Sequence, residues 1–440
     1  ILVNRFIKRW AFPLKKEQSH SILCLIEGGV NMRRIILFIL LLLLYACTTV
    51  SEPIPSKPIL PEELSEEFVL ELLPPLENGS PNTSFEPAFD GQTRAPSTKT
   101  KVSYEYNTLN SELIEPWGID VLPDGKLVIT EKQGRLAILE ADGTLITRVT
   151  GFPSINTQNQ GGLLDVSISP TYADDSMIFF TFALLTNQGS ATAVGKAKLN
   201  LVNNQLDDFE TIFVALPYLS GNNHLGGRIV FDELGNIYLS TGDRQDTNRR
   251  MQAQDMNSGI GKIHYFTQNG SVVSGYDSTV FSLGHRNVQG LGIHPLTNEL
   301  WASEMGPQGG DELNLILTGK NYGWPIVSYG EEYNGNPIPG NIAQKEGMEE
   351  PRYYWDPVIA PSGMVFYDGL MFEEWQNNLF IAGLRSESIV RVILDGNRIV
   401  AEEQLLGTEK QRFRDLAQGI DGSLYAVTDA GRLYQIKTTN

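Results

Sequence analysis

One pattern recurs six times in this chain: a short stretch of alternating apolar and polar residues, a turn rich in Gly, Asp and Asn, then a second such stretch. It runs as WGIDVLPDGKLVIT from Trp117, LLDVSISPTYADDSMIFFTF from Leu163 and GGRIVFDELGNIYLSTGD from Gly226. It returns as GLGIHPLTNELWASEMG from Gly290, SGMVFYDGLMFEEWQNNLFIAGL from Ser362 and FRDLAQGIDGSLYAVTD from Phe413. Period-2 alternation puts one face of each stretch in a core, and turns of this composition make hairpins. Six copies within residues 101–440 give roughly 57 residues per unit, above the ~40–50 of ordinary propeller blades, so long insertions must sit in loops. No segment keeps a helical period. The expectation is all-β: a six-bladed β-propeller of four-stranded antiparallel blades with long loop insertions. A solenoid would need a tighter repeat, and a sandwich of this length would be unusual as one domain. In a propeller, loops from several blades converge at one mouth of the channel, so distant residues form one site.

The start of the chain is different material. Residues 1–31 read as a mis-called upstream segment, because Met32 opens a better N-terminus. Arg33 and Arg34 precede the apolar run Ile35 to Ala46, which at 12 residues is too short to span a bilayer and suits a signal sequence over 32–46. Leu44-Tyr45-Ala46-Cys47 resembles a bacterial lipobox, which makes Cys47 the expected lipidation site. Residues 47–100 then read as the acylated cysteine and a disordered tether, since nine prolines fall between 48 and 100. The propeller occupies 101–440. The second cysteine, Cys24, lies upstream of Met32, so no disulfide framework is expected. Seven basic and two acidic residues precede Cys47, which leaves the remainder at a net charge of −23. Such a chain is a poor partner for nucleic acid, and membrane contact would come through lipid alone. Thr48 after the cysteine points to the outer membrane, on the periplasmic side.

Several constellations carry chemistry. His224, in SGNNHLGGR, lies before two glycines at the start of a predicted strand and reads as a general base near neutral pH, or else as a histidine satisfying a turn. His264 and His294 lack such surroundings and read as structural. Arg412 and Arg414 are two apart at a strand start, so both guanidiniums share a face and suit a multi-carboxylate ligand; the plain alternative is charge pairing with Asp415 and Glu409. Arg286-Asn287 offers a further cation and amide. The run Gly306-Pro307-Gln308-Gly309-Gly310-Asp311-Glu312 supplies main-chain and carboxylate oxygens of the kind calcium prefers. Gln160-Gly161-Gly162 and Gly242-Asp243 are weaker signals. The stretch Gly284–Pro325, which holds many of these groups, reads as one blade connection with its insertion.

The motifs QGGLLDV, NHLGGR, STGDR, GHRNVQGL, GPQGGDELN, KNYGWP, APSGM and RFRD occur in the order found in soluble pyrroloquinoline-quinone (PQQ) sugar dehydrogenases. Over about Leu113 to Ile436 the chain resembles the aldose branch of the glucose/sorbosone dehydrogenase family, whose fold is a six-bladed propeller. The resemblance implies PQQ- and Ca2+-dependent oxidation of an aldose at C1 to the lactone, with hydride passing to quinone carbon C5. It makes His224 the base and sets Gln160 and Asp243 beside cofactor and substrate. Arg286, Asn287, Arg412 and Arg414 match the groups that hold PQQ, with Asn223 beside them. The carbonyls of Gly306 and Pro307 match ligands of the Ca2+ that meets PQQ, and Asp311, Glu312 and Tyr322 match a second, structural Ca2+ site. Electrons would pass to a periplasmic acceptor, a cytochrome or a quinone.

Two departures matter. Asn223 stands where the glucose-active branch has aspartate, so His224 should be less basic and sugar use broad. A lysine that branch places after its APS segment is absent, and Arg385 is taken as the replacement cation. The alternative function is a non-catalytic binding propeller or a Ca2+-dependent lactonase. A lactonase would need a carboxylate- and Asn-lined ion site on the channel axis and would have no use for clustered arginines.

Overall fold

The computed structural model describes residues 70–439. The upstream segment, the signal sequence and Cys47 lie outside the described residues. Strands form six four-stranded antiparallel sheets. Five blades are continuous, at 116–149, 163–214, 229–283, 288–355 and 361–405. The sixth joins three strands of 413–438 to the early strand Tyr104–Asn110, which pairs with Leu433–Thr438. This pairing of the two ends closes the ring, and the first strands of successive blades neighbour one another around it.

Each copy seen in the sequence is the first hairpin of a blade. The Asp residues at their turns act as local acceptors: Leu234 N–H donates to Asp232 Oδ1 at 2.9 Å and Ser423 N–H to Asp421 Oδ1 at 3.0 Å. Such side-chain turns let the chain reverse without an unpaired amide. Apolar faces of adjacent blades meet in cores, for instance Trp301 and Leu313 of the fourth blade against Met364 and Phe366 of the fifth. The Gly284–Pro325 stretch is not merely a connection. It contains three strands of the fourth blade, Val288–Ile293, Leu300–Glu304 and Asp311–Ile316, and only then the 317–352 insertion.

The tether expectation needs correction over its later part. Residues 70–100 lie against the propeller: Leu73 pairs with Ser97, and Thr98 N–H donates to Glu402 O at 2.9 Å. The Asp356 carboxylate accepts the amides of Asn82 and Thr83, while Gln92 and Ala95 are buried. Prolines stop helix and ladder formation but do not prevent an extended strap from docking on a sheet edge.

One side chain ties the ring at its centre. Arg228, on the third blade, donates to Asp165 Oδ1 of the second blade at 3.0 Å and lies 2.8 Å from Asp415 Oδ2 of the sixth. Its Nε reaches Gln289 O of the fourth blade at 2.6 Å, and its guanidinium stacks 4.1 Å over Trp117 of the first. The fifth blade passes so close that a Cβ at Gly363 would meet Arg228 Nη2 at 2.8 Å. All six blades therefore converge on one buried guanidinium. Burial raises Asp165 and Asp415 above the usual carboxylate range, and Arg228 pulls both back.

Candidate active site

The lead-in turns of the second, third, fourth and sixth blades meet at one mouth. His224 sits there with φ of 43°, a left-handed conformation uncommon for a side chain of this size. Its amide donates to Gln160 Oε1 at 2.8 Å, and the glycines after it permit close approach: a Cβ at Gly226 would meet Thr241 Cα at 2.7 Å. The ring is buried. Nδ1 lies 2.7 Å from Asp243 Oδ1, which also accepts Gln245 N–H at 2.8 Å; the other oxygen, Oδ2, accepts Trp324 Nε1–H at 2.8 Å. An ionised Asp243 is acceptor-only, so it fixes the proton on Nδ1 and leaves Nε2 as a lone-pair base. Burial, and then the nearby Arg286, lower the His224 pKa below its ordinary value, against the raising effect of Asp243. Burial alone would raise Asp243, yet its hydrogen bond with His224 and the charge of Arg286 hold it low.

The lowering relative to an ordinary histidine thus comes from burial and Arg286 and not from Asn223. Asn223 donates to Gln245 Oε1 at 2.9 Å and makes no hydrogen bond to the imidazole, whose charged partner is Asp243.

Two cavities adjoin here. One, of about 390 Å³, is walled by Gln160, Asn287, Arg412, Arg414, Trp117 and Lys132. The other, of about 250 Å³, is walled by His224, Asp243, Arg286, Arg250, Trp324 and Glu332. In the first, Arg414 is bidentate to Asp429 (2.8 and 3.2 Å), and Arg412 Nε reaches the same carboxylate at 2.9 Å. The two arginines do share a face, but their partner is Asp429. Asp415 belongs to Arg228, and Glu409 accepts the hydroxyls of Tyr106 and Tyr434. Two guanidiniums on one carboxylate leave net positive charge in the wall, while Lys132 there is offset by Glu115, 3.6 Å away in the same wall.

Lys132, held by Asn159 O at 2.8 Å, walls this cavity, whereas Arg385, the expected replacement cation, is not among its lining residues. Arg385 is exposed, and its turn gives Leu384 to the wall. Arg286 walls the smaller cavity, and its neighbour Asn287 walls the larger. Its Nη1 donates to Met305 O at 2.8 Å and Gly306 O at 2.6 Å, Nη2 reaches Tyr333 Oη at 3.3 Å, and Nε is buried without a partner. Asn287 Oδ1 accepts Gly226 N–H at 3.3 Å. A buried orphan N–H beside a cavity is costly unless a ligand oxygen meets it.

The oxygen-rich run behaves in two ways. Gly306, Pro307, Glu312 and Tyr322 surround a cavity of about 10 Å³ together with Glu304. Glu304 and Glu312 face each other across the hairpin, and Asn314 Nδ2 donates to both, at 3.1 and 3.0 Å. Burial, and then Glu304, drive the Glu312 pKa well up. Two buried carboxylates with main-chain carbonyls, and no nitrogen or sulfur required, make a donor set suited to a hard divalent cation. Among the described residues no group of three or more His, Cys, Asp or Glu forms a metal site, so carbonyls would have to complete it.

Asp311 has another task. Its oxygens accept the amides of Gly306 at 2.8 Å and Ala360 at 2.6 Å, so it shapes the Gly306-Pro307 turn, and burial pushes it up to about 7. Tyr322 is likewise committed: its hydroxyl donates to Leu315 O at 2.6 Å.

Sequence reasoning missed Glu304, Asp429, Lys132 and Trp324. The first two follow from hairpin register, because Glu304 pairs with Glu312 and Asp429 comes just after Thr428, the partner of Phe413. Lys132 sits in the tight turn between the paired strands Leu127–Glu131 and Arg135–Leu139, and Trp324 sits on the long insertion, whose course no periodicity reveals.

A closed six-bladed ring with a buried His–Asp pair beside a cationic cavity is the frame of a propeller enzyme. The chain belongs to the glucose/sorbosone dehydrogenase family, whose model matches residues 113–435. It is 36% identical over 347 residues to aldose sugar dehydrogenase YliI of Escherichia coli (strain K12), covering 76% of this chain and 92% of that protein. The apo-form of the soluble aldose sugar dehydrogenase of Escherichia coli superposes with a TM-score of 0.72 at 35% identity, over 77% of this chain and 100% of that one. The PQQ-bound aldose sugar dehydrogenase of Streptomyces coelicolor gives 0.65 at 29% identity, over 77% and 99%.

Proposed function

We propose that this protein oxidises aldose sugars at C1 to the lactone, using PQQ and Ca2+ and passing electrons to a periplasmic cytochrome or quinone. The observation that carries this reading is the His224–Asp243 pair, which holds the proton on Nδ1 and leaves Nε2 basic on a residue that walls a cavity shared with Arg250 and Arg286. His224 takes the proton of the C1 hydroxyl at Nε2. Asp243 stabilises the imidazolium that results, and Trp324 and the Gln245 amide keep that carboxylate in place. Gln160 holds the His224 main chain. When bound, PQQ would take the C1 hydride at its C5 carbon, with Ca2+ polarising the adjoining carbonyl.

The residues fit such a ligand. Arg412, Arg414 and Lys132 would hold its carboxylates and Asn287 would meet a quinone oxygen in the larger cavity, while Arg286, which walls the smaller cavity and keeps an orphan Nε, would meet another. Gly306 O already accepts a cation, the Arg286 guanidinium, and with Pro307 O would serve Ca2+. Glu304 and Glu312 would hold a second Ca2+. A lactonase fits less well, because the axis carries the Arg228 guanidinium between Asp165 and Asp415. Reconstitution tests the reading: PQQ and Ca2+ are added to the apo-protein, and dye reduction is assayed with a panel of aldoses. Activity with several aldoses is expected; an unperturbed PQQ spectrum and no activity would overturn it.

We further propose export as an outer-membrane lipoprotein acylated at Cys47, a residue outside the described range. Mass spectrometry of the N-terminal peptide from membranes should show acyl mass on Cys47, and Cys47→Ala should release the protein; an unmodified cysteine contradicts this.

A further inference from the structure

The cavity that contains His224 has a second polar end. Arg250 lies on the 3-10 turn Arg250–Gln254, and its Nη1 is 2.6 Å from Glu332 Oε1, on the 317–352 insertion of the next blade. Both side chains are mostly shielded, with 11% and 26% of their surface exposed, and both wall the cavity. The supports behind them are rigid. Buried Lys262 Nζ donates to Gln252 O, Ala253 O and Ile260 O at 2.7–3.0 Å, which fixes the turn carrying Arg250. On the other side, Gln308 and Glu331 exchange main-chain hydrogen bonds at 2.9 Å, an isolated bridge that fixes the loop carrying Glu332.

The insertion is therefore docked without the Arg250–Glu332 pair. A lone, partly exposed pair is worth only ~0.2–1 kcal/mol to stability. Among the described residues, Glu332 Oε2 and the remaining guanidinium nitrogens of Arg250 have no hydrogen-bond partner. The Arg250 guanidinium also lies 5.5 Å over Trp324, the indole that holds Asp243, so this pair is tied mechanically to the His224 end.

We infer that Arg250 and Glu332 form the subsite for the aldose hydroxyls remote from C1 and set which aldoses are oxidised. This rests on the sugar-oxidising reading above. A carboxylate accepts from hydroxyl groups and a guanidinium donates to them, so one rigid pair suits vicinal hydroxyls, which are donor and acceptor at once. Because the pair meets the sugar in ground and transition states alike, its loss falls on KM more than on kcat.

The test compares wild type, Glu332→Gln and Arg250→Met, each loaded with PQQ and Ca2+, on aldoses and their deoxy analogues. Expected for both variants is a KM rise of roughly 10-fold for an aldose bearing the contacted hydroxyl. The analogue lacking that hydroxyl should shift much less, and kcat should stay within a few-fold. Equal KM shifts for sugar and deoxy analogue, or no shift, would overturn the inference. Saturation-transfer NMR on apo-protein reads sugar binding without turnover. Loss of transfer at protons remote from C1 in both variants supports the subsite; spectra identical to wild type, or no transfer to any aldose, refute it. A wild type that oxidises no aldose but shows the NMR loss would sink the enzymatic reading and leave the subsite standing.

Discussion

Trp324 Nε1 donates to the Asp243 oxygen that His224 does not use, so a residue of the fourth-blade insertion holds the carboxylate that orients an imidazole of the third blade. This linkage makes the pH behaviour predictable. His224 titrates below the ordinary histidine value, so its basic form persists into mild acid, and the acid limb of kcat/KM should lie below that of a free histidine. Asp243→Asn removes a group that raises the His224 pKa. The limb should therefore move further down while the plateau falls by roughly 10²–10⁴-fold, because the tautomer is no longer fixed. A pH–rate profile of the variant checks both changes.

Arg414 makes a bidentate pair with Asp429 in the wall of the larger cavity. Its removal takes away a charged donor for an anionic ligand, which is worth about 1.5–3 kcal/mol. Arg414→Ala should weaken PQQ binding by roughly 10–100-fold, as read by fluorescence titration, while thermal stability barely changes.

Arg228 should matter to the fold instead. Arg228→Met leaves Asp165 and Asp415 buried without their cation, at a cost of about 3–5 kcal/mol. Both carboxylates titrate higher than usual, so protonation relieves the defect, and the loss in Tm should be larger at pH 8 than at pH 5.5. Calorimetry at the two pH values decides it.

These sites also show how far the sequence could be read. The ring was legible because period-2 stretches with Asp-bearing turns, such as Asp232 and Asp421, report hairpins locally. His224, Arg412 and Arg414 were legible because scarce or paired polar groups stand out beside strand starts. Register was harder: Asp429 and Glu304 act through hairpin partners, and a partner is known only after both strands are placed. The docking of residues 70–100 was hidden for a different reason. Its chief anchors are amides donated to Asp356 and Glu402, groups far away in sequence.

Glu402 gives a stability prediction of its own. Its carboxylate accepts Trp355 Nε1–H at 2.6 Å and the Tyr353 hydroxyl at 2.8 Å, and burial pushes its pKa up to about 7. A group raised on folding contributes stability that is full below its unfolded pKa and is lost as pH rises through the folded value. Between pH 5 and pH 8 this carboxylate should cost the native state roughly 3 kcal/mol. Glu402→Gln should flatten that part of the pH dependence, which urea unfolding at the two pH values would show.

The central claim is that His224 removes the C1 hydroxyl proton while a sugar is oxidised. Rapid mixing of PQQ- and Ca2+-loaded protein with an aldose, followed through the quinone absorption, tests it most directly. His224→Ala should bind PQQ as wild type does and yet be reduced roughly 10²–10⁴-fold more slowly. Reduction at the wild-type rate in that variant would contradict the account.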